Sequence, residues 1–150
     1  MKTKGVRISD GEEVLNVHLP DILREIPDGN LYYWSILNLE GMGDLGEKSV
    51  PVFEKEIRSS SKGLIITWDE LNLLAPKYWQ IIDMILIGCK DETVLKRYEN
   101  DQEMYETCDI GIVMFDSSYW EIFSKDERII LRLANKFSEV TLLESDSLDI

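Results

Sequence analysis

Two apolar runs, Leu64–Trp68 and Ile81–Ile87, constrain this chain more than any other feature. They sit in the stretch GLIITWDELNLLAPKYWQIIDMILIGCKDE, residues 63 to 92. Each is too short to cross a bilayer and is bounded by turn signals, the pattern of a strand buried on both faces. Thr67 and Glu70 have the spacing of a capping box, so a helix is expected between the two runs. Pro76 kinks or ends that helix, because it has no N–H to continue the ladder. Asp83 interrupts the second run and needs a hydrogen-bond donor or a strand edge, since an unpaired buried carboxylate is costly.

Other segments fit around this centre. Gly5–Ile8 reads as a first strand turning at Asp10-Gly11, with Val14–Leu19 pairing back on it. Pro20 opens a short amphipathic turn over Asp21–Ile26, and Pro27-Asp28-Gly29-Asn30 is a turn. Leu31–Leu39, LYYWSILNL, has strand composition. Pro51 suits the start of a helix whose Phe53 and Ile57 face inward, with Glu54, Lys55, Glu56 and Arg58 on the water side. Gly63 is placed as a left-handed cap at the end of Ser59–Lys62. Glu92–Tyr98 forms one or two helical turns, and Glu99–Glu106 is a polar segment. Ile110–Phe115 and Tyr119–Phe123, joined by Asp116-Ser117-Ser118, form a β-hairpin. Ser124 and Glu127 suggest a second capping box, starting a helix with Ile130, Leu133, Ala134 and Phe137 on one stripe. Glu139–Leu143 is a short last strand, and residues 145–150 are an acidic, frayed tail. The expectation is one α+β (mixed α/β) domain over residues 1–150. Its sheet is mostly antiparallel or mixed, of about five or six strands, with helices packed on it.

Charge narrows the function. Twenty-nine acids against sixteen bases give −13, divided as −4, −1 and −8 over residues 1–50, 51–100 and 101–150. Such a field repels nucleic acid and anionic membranes and speeds encounter with a basic partner; its plainest role is solubility. The first residues lack the apolar core of a signal peptide, and no run of about eighteen apolar residues occurs, so a cytoplasmic protein is expected. Cys89 and Cys108 adjoin apolar runs and are expected reduced and buried.

Chemistry-bearing motifs are few. Gly41-Met42-Gly43-Asp44-Leu45-Gly46 has the G-x-G-x-x-G spacing and lies between an expected strand and helix, with Asp69 after the next strand, as a dinucleotide site requires. Against it, Asp44 and Glu47 put negative charge where a pyrophosphate would sit, and Pro51 moves the helix start away from the glycines. Lys48-Ser49 is out of register for a phosphate-cradling Walker loop, because Glu47 intervenes after Gly46. His18, the single histidine, has no partners at catalytic or metal-ligand spacing. No cofactor, metal or catalytic residue is assigned.

Aromatics are the remaining feature. Tyr32-Tyr33-Trp34, Tyr78-Trp79 and Tyr119-Trp120 are adjacent in sequence, so a strand there must point one of each pair outward. Aromatic anchors beside acids suit a protein-binding surface. The candidate partner-binding residues are Glu99, Asp101, Glu103, Tyr105 and Glu106, with one of Tyr119 or Trp120; the partner is a basic protein.

The segments GLIITWDELN, IIDMILIGCKD, YENDQEMYETCDI and DSSYWEIFSKD, with the chain's size and acidity, resemble the small acidic immunity proteins of bacterial polymorphic and contact-dependent toxin systems. That resemblance implies a cytosolic protein that neutralises a toxin domain, often a basic nuclease, by covering its active site or an adjacent surface. Two alternatives stand beside it: a small nucleotide-binding enzyme using Gly41–Gly46, and an adaptor homodimer joined through a sheet edge such as Tyr119–Phe123.

Overall fold

The computed structural model describes residues 4–9 and 17–144. The turn expected at Asp10-Gly11, most of the strand expected before Leu19, and the tail 145–150 lie outside them. Among the described residues seven strands form one sheet in the order β3-β2-β4-β5-β6-β1-β7: β1 (Lys4–Ile8), β2 (Tyr33–Gly43), β3 (Leu64–Ile66), β4 (Tyr78–Cys89), β5 (Ile110–Phe115), β6 (Tyr119–Ser124) and β7 (Val140–Glu144). Every pairing is antiparallel. The fold is α+β as expected, with one or two strands more than expected. β1 pairs with β6 and β7. Leu19, expected to end a returning strand, begins helix α1 (Leu19–Leu23), because Pro20 fits a first helical turn.

Strand β4 shows why the second apolar run is continuous. Met84 and Leu86 enter a large core on one face, with Trp34, Ile36, Ile112, Trp120 and Ile122. Ile87 and Cys89 enter a smaller core on the other face, with Leu37, Val113 and Phe123. Side chains alternate across a strand, so only an unbroken apolar run fills both. Helices α1, α3 (Trp68–Leu74) and α5 (Glu127–Lys136) cover the larger core through Ile22, Leu71, Ile130 and Leu133. Helix α4 (Asp101–Thr107) covers the smaller one through Met104 and Tyr105.

The pairing of β2 with β4 slips three times, at Ile36/Asn38, Glu40/Gly41 and Met42/Gly43. These irregularities leave backbone groups that other elements satisfy. Arg97 donates to the carbonyls of Leu37 (2.6 Å), Ile57 (2.7 Å) and Ser60 (3.0 Å). The N–H of Gly41 donates to the Glu54 carboxylate at 2.9 Å. Ser117 N–H donates to the Ile82 carbonyl at 2.8 Å, and Asp116 N–H to Asp83 at 3.0 Å, which supplies the donor Asp83 required. Asp116 and Ser117 have φ of 45° and 58°, the left-handed backbone of a tight hairpin turn.

Most local signals are realised. The Thr67–Glu70 capping box forms. Gly63 takes the left-handed φ of 76°, but it is not the helix cap: the preceding helix ends at Ser59 with Ser60 as its C-cap, and Gly63 closes the turn that follows, its N–H donating to the Ser60 carbonyl at 3.2 Å. Helix α2 (Val50–Ser59) is capped by Ser49 and carries Pro51 in its first turn. Five further expectations need correction. The first apolar run is not a strand buried on both faces: β3 covers only Leu64–Ile66 at the sheet edge with Ile65 exposed, and Trp68 starts α3, because the Thr67 cap turns the chain into a helix there. Glu54 is buried, because it is the acceptor for Gly41 and for the Tyr78 hydroxyl (2.9 Å). Strand β6 runs through Ser124, so the cap of α5 is Asp126, which accepts from Arg128 N–H, while Ser124 Oγ accepts from Asp126 N–H. The stretch after Glu99 is helical from Asp101, not an irregular polar segment. Finally, β6 lies between β5 and β1, so Tyr119–Phe123 offers no sheet edge to a second copy. The edges among the described residues are β3 and β7.

Candidate protein-interaction surface

Helix α4 is short, and its ends and buried side hold it in place. Asn100 accepts from Glu103 N–H at 2.8 Å, capping the first turn, where Asp101 and Glu103 also favour the positive end of the helix dipole. Met104 and Tyr105 then point into the smaller core, where Tyr105 meets the Phe123 ring edge-on at 4.1 Å between centroids. Adjacent buried positions leave the opposite side of the helix to polar residues. Glu99 and Glu106 are exposed, and Asp101 and Glu103 half-buried. Glu103 pairs with Lys96 at 3.3 Å, and Glu106 accepts from Gln102 at 2.7 Å. Asp101, Glu103 and Glu106 are therefore carried on a capped, packed helix, with Glu99 just before its cap.

Two of the aromatic candidates do not belong to this surface. Tyr105 is fully buried, because the capped helix turns it onto Phe123. Trp120 is 1% exposed and donates its indole N–H to the Val17 carbonyl at 2.8 Å. Tyr119, its neighbour, points to the opposite face and is half-exposed, with Phe115 beside it at 5.1 Å and the Arg7 guanidinium 4.5 Å above its ring. It shares the α4 face of the sheet but lies four residues along β6 from Phe123, about 13 Å at strand rise. The structure thus keeps Glu99, Asp101, Glu103 and Glu106 together, and separates Tyr119 from them.

In the other aromatic groups one ring also faces out: Trp79 is 66% and Tyr33 47% exposed, while Tyr78 and Trp34 are buried. Burial and the hydrogen bond to Glu54 push the Tyr78 hydroxyl well above its ordinary pKa, so it is a donor and not a titrating group. Trp79 falls at the Met42/Gly43 slip, which sequence reading could not locate because a bulge has no period of its own.

The glycine motif has a different use here. Gly41 and Gly43 lie inside β2. A Cβ on Gly41 would stand 2.3 Å from the Gln80 carbonyl oxygen, and one on Gly43 2.2 Å from that of Lys77. Gly46 turns the chain at φ 82°, its N–H donating to Asp44, and α2 starts only at Val50. The strand–turn–helix that would aim a helix terminus at a phosphate is not formed by these residues. His18 is exposed, and its backbone N–H donates to Asp21 at 2.8 Å. Cys89 and Cys108 are free and buried, and the hydrogen bond they share raises the Cys108 thiol above its ordinary range and lowers that of Cys89. Among the described residues no three His, Cys, Asp or Glu side chains come together as a metal site, and no helix is long and apolar enough to cross a membrane.

Neither a family model, nor a curated protein, nor a solved structure matches this chain. What its own geometry defines is an α+β protein built on a single seven-stranded antiparallel sheet.

Proposed function

We propose that this chain is a non-catalytic, cytoplasmic binding protein, an inhibitor of the immunity type that neutralises a basic toxin domain. The observation that carries the reading is the rigid presentation of Glu99, Asp101, Glu103 and Glu106 around a capped helix whose inner face is core. The Glu103 and Glu106 carboxylates, already held by Lys96 and Gln102, lose little freedom on binding, so their attraction to Lys and Arg is spent less on ordering the surface. The chain's net charge of −13 works in the same direction, steering a basic partner from beyond contact distance.

The test is capture from native cells at low salt, elution with rising salt, and kinetics on the purified partner. A basic protein should be retained and released steeply with salt. Glu99→Gln, Asp101→Asn, Glu103→Gln and Glu106→Gln together keep the helix polar but remove its charge; they should lower the association rate about ten-fold. An unchanged rate at low salt would remove α4 from the interface.

A further inference from the structure

The edge strand β3 carries a second surface. Leu64–Ile66 pairs only with Trp34–Ile36 of β2. Beyond it, the same side of β2 is closed by Glu54 on the Gly41 N–H and by Arg97 on the Leu37 carbonyl. β3 is thus the part of this edge whose outer backbone groups meet no described strand. The unpaired N–H and C=O groups of an edge strand are a template for pairing with another chain, here over the three residues of β3. The surroundings are apolar: Ile65 is 50% exposed, and Tyr33, which lines the same hollow, is exposed beside it. A hollow of about 310 Å³ opens beside it, lined by Tyr33, Ile65, Trp68, Asp69 and Glu70 among others.

The charges at the two ends of β3 are opposite. Lys62 precedes the strand, and Asp69 and Glu70 follow it. Lys62 and Asp69 are exposed, and neither has an ion-pair partner within the described residues. Glu70 is held ionised by the Thr67 backbone N–H and hydroxyl, which lower its carboxyl below the usual range. A strand with a cation at one end and anions at the other is complementary to itself when paired antiparallel.

We propose that β3 pairs with β3 of a second copy of this chain about a two-fold axis at Ile65, joining the two sheets edge to edge. In that register Leu64 lies opposite the second copy's Ile66. Lys62, in the turn before β3, then faces the end of the second copy's strand, where its Asp69 and Glu70 stand in the first turn of α3. The two-fold axis makes each of these contacts twice. The Lys62 ammonium has carboxylates to meet there, and its methylene stem covers apolar surface. β7, the opposite edge, has no such opposition of charge, since Glu139 and Glu144 bracket it. The pairing is independent of α4 and its acids, which sit on another element.

Sedimentation equilibrium in about 0.15 M salt, where repulsion between the acidic copies is screened beyond about 8 Å, tests it. Over about 5 to about 500 µM the wild-type mass should rise from 17.4 kDa toward twice that value. Ile65→Lys should remain monomeric, with its circular dichroism melt showing a folded chain. Lys62→Glu should weaken the dimer about ten-fold through two symmetric contacts, and Lys62→Glu with Asp69→Lys should restore it. The charge-swap pair decides the matter even if Ile65→Lys does not fold, because both exchanged residues are solvent-facing. A wild type that stays monomeric throughout overturns the proposal. So does a dimer indifferent to Lys62→Glu, or one that the double exchange fails to restore.

Discussion

Alanine at Gly41, Gly43 and Gly46 separates two uses of glycine that look alike in the sequence. At Gly41 and Gly43 the added methyl would lie 2.3 Å and 2.2 Å from carbonyl oxygens of Gln80 and Lys77. Ordinary contact begins near 3.4 Å, so the backbones must part by about 1 Å, and neither obstacle is a side chain that can swing away. Overpacking of this sort costs about 1–3 kcal/mol, and the upper half of that range is expected. Nearby lie the Asp44 N–H bond to the Lys77 carbonyl (3.0 Å) and the Gly41 bond to Glu54. At Gly46 nothing lies within 4 Å of the added methyl. Only the left-handed φ opposes alanine, at about 1 kcal/mol. With a urea m-value of about 2 kcal/mol/M, the unfolding midpoint should fall by roughly 1 M or more for Gly41→Ala and Gly43→Ala, and by about 0.5 M for Gly46→Ala. Equal stability of Gly43→Ala and wild type, or a larger loss at Gly46 than at Gly43, would refute the reasoning. The result also governs ligand work: Gly43→Ala weakens the fold by itself, so a lost signal in a nucleotide assay says nothing about phosphate binding unless the melt is measured alongside.

Further outcomes follow from single residues. Arg97→Ala removes the donor shared by the Leu37, Ile57 and Ser60 carbonyls; unfolding by urea should show a loss of about 2–3 kcal/mol, with Arg97→Lys recovering part of it, and a loss below 0.5 kcal/mol (about the spread of neutral surface changes) would mean water replaces the guanidinium. Tyr105→Ala empties a core site and should cost about 3–5 kcal/mol, whereas Tyr119→Ala should cost far less; the reverse order, read from thermal melts, would restore Tyr105 to the surface. The Asp126 carboxyl is held below its usual range first by its hydrogen bond to Arg128. A depressed carboxyl stabilises the fold above its unfolded pKa and loses that contribution as the pH falls through the folded one. The melting temperature should therefore drop below about pH 4. Asp126→Asn, which can still cap α5, should lessen that drop, and an identical acid profile in the variant would assign the effect to other carboxylates.

Much of the fold was legible because its signals are local. The Thr67–Glu70 box, the left-handed turn at Gly63, Pro51 and Pro76 as helix boundaries, and the Ile110–Phe115 and Tyr119 hairpin are each specified by a few adjacent residues. The alternation of Tyr78 with Trp79 and of Tyr119 with Trp120 needs only the two-residue period of a strand. The identity of the acidic segment was likewise plain, but its conformation was not. A four-acid stretch reads as solvated loop, and only Met104 and Tyr105 meeting Phe123 from the far hairpin make it a helix worth forming.

By itself the sequence determined that this is an acidic α+β chain with one central strand, Ile81–Ile87, buried on both sides, because composition and period are properties of neighbouring residues. The tertiary structure decided which strand is internal and which is an edge, which of two adjacent aromatics reaches water, and why Gly41 and Gly43 are glycines. It also turned Glu54 inward to meet Gly41 and Tyr78, and brought Arg97 to carbonyls some 37 to 60 residues away. The physical reason is common to all of these. Each depends on close approach between segments distant in the chain, and the space, donors and acceptors that one segment finds on another are set only when the sheet closes around them.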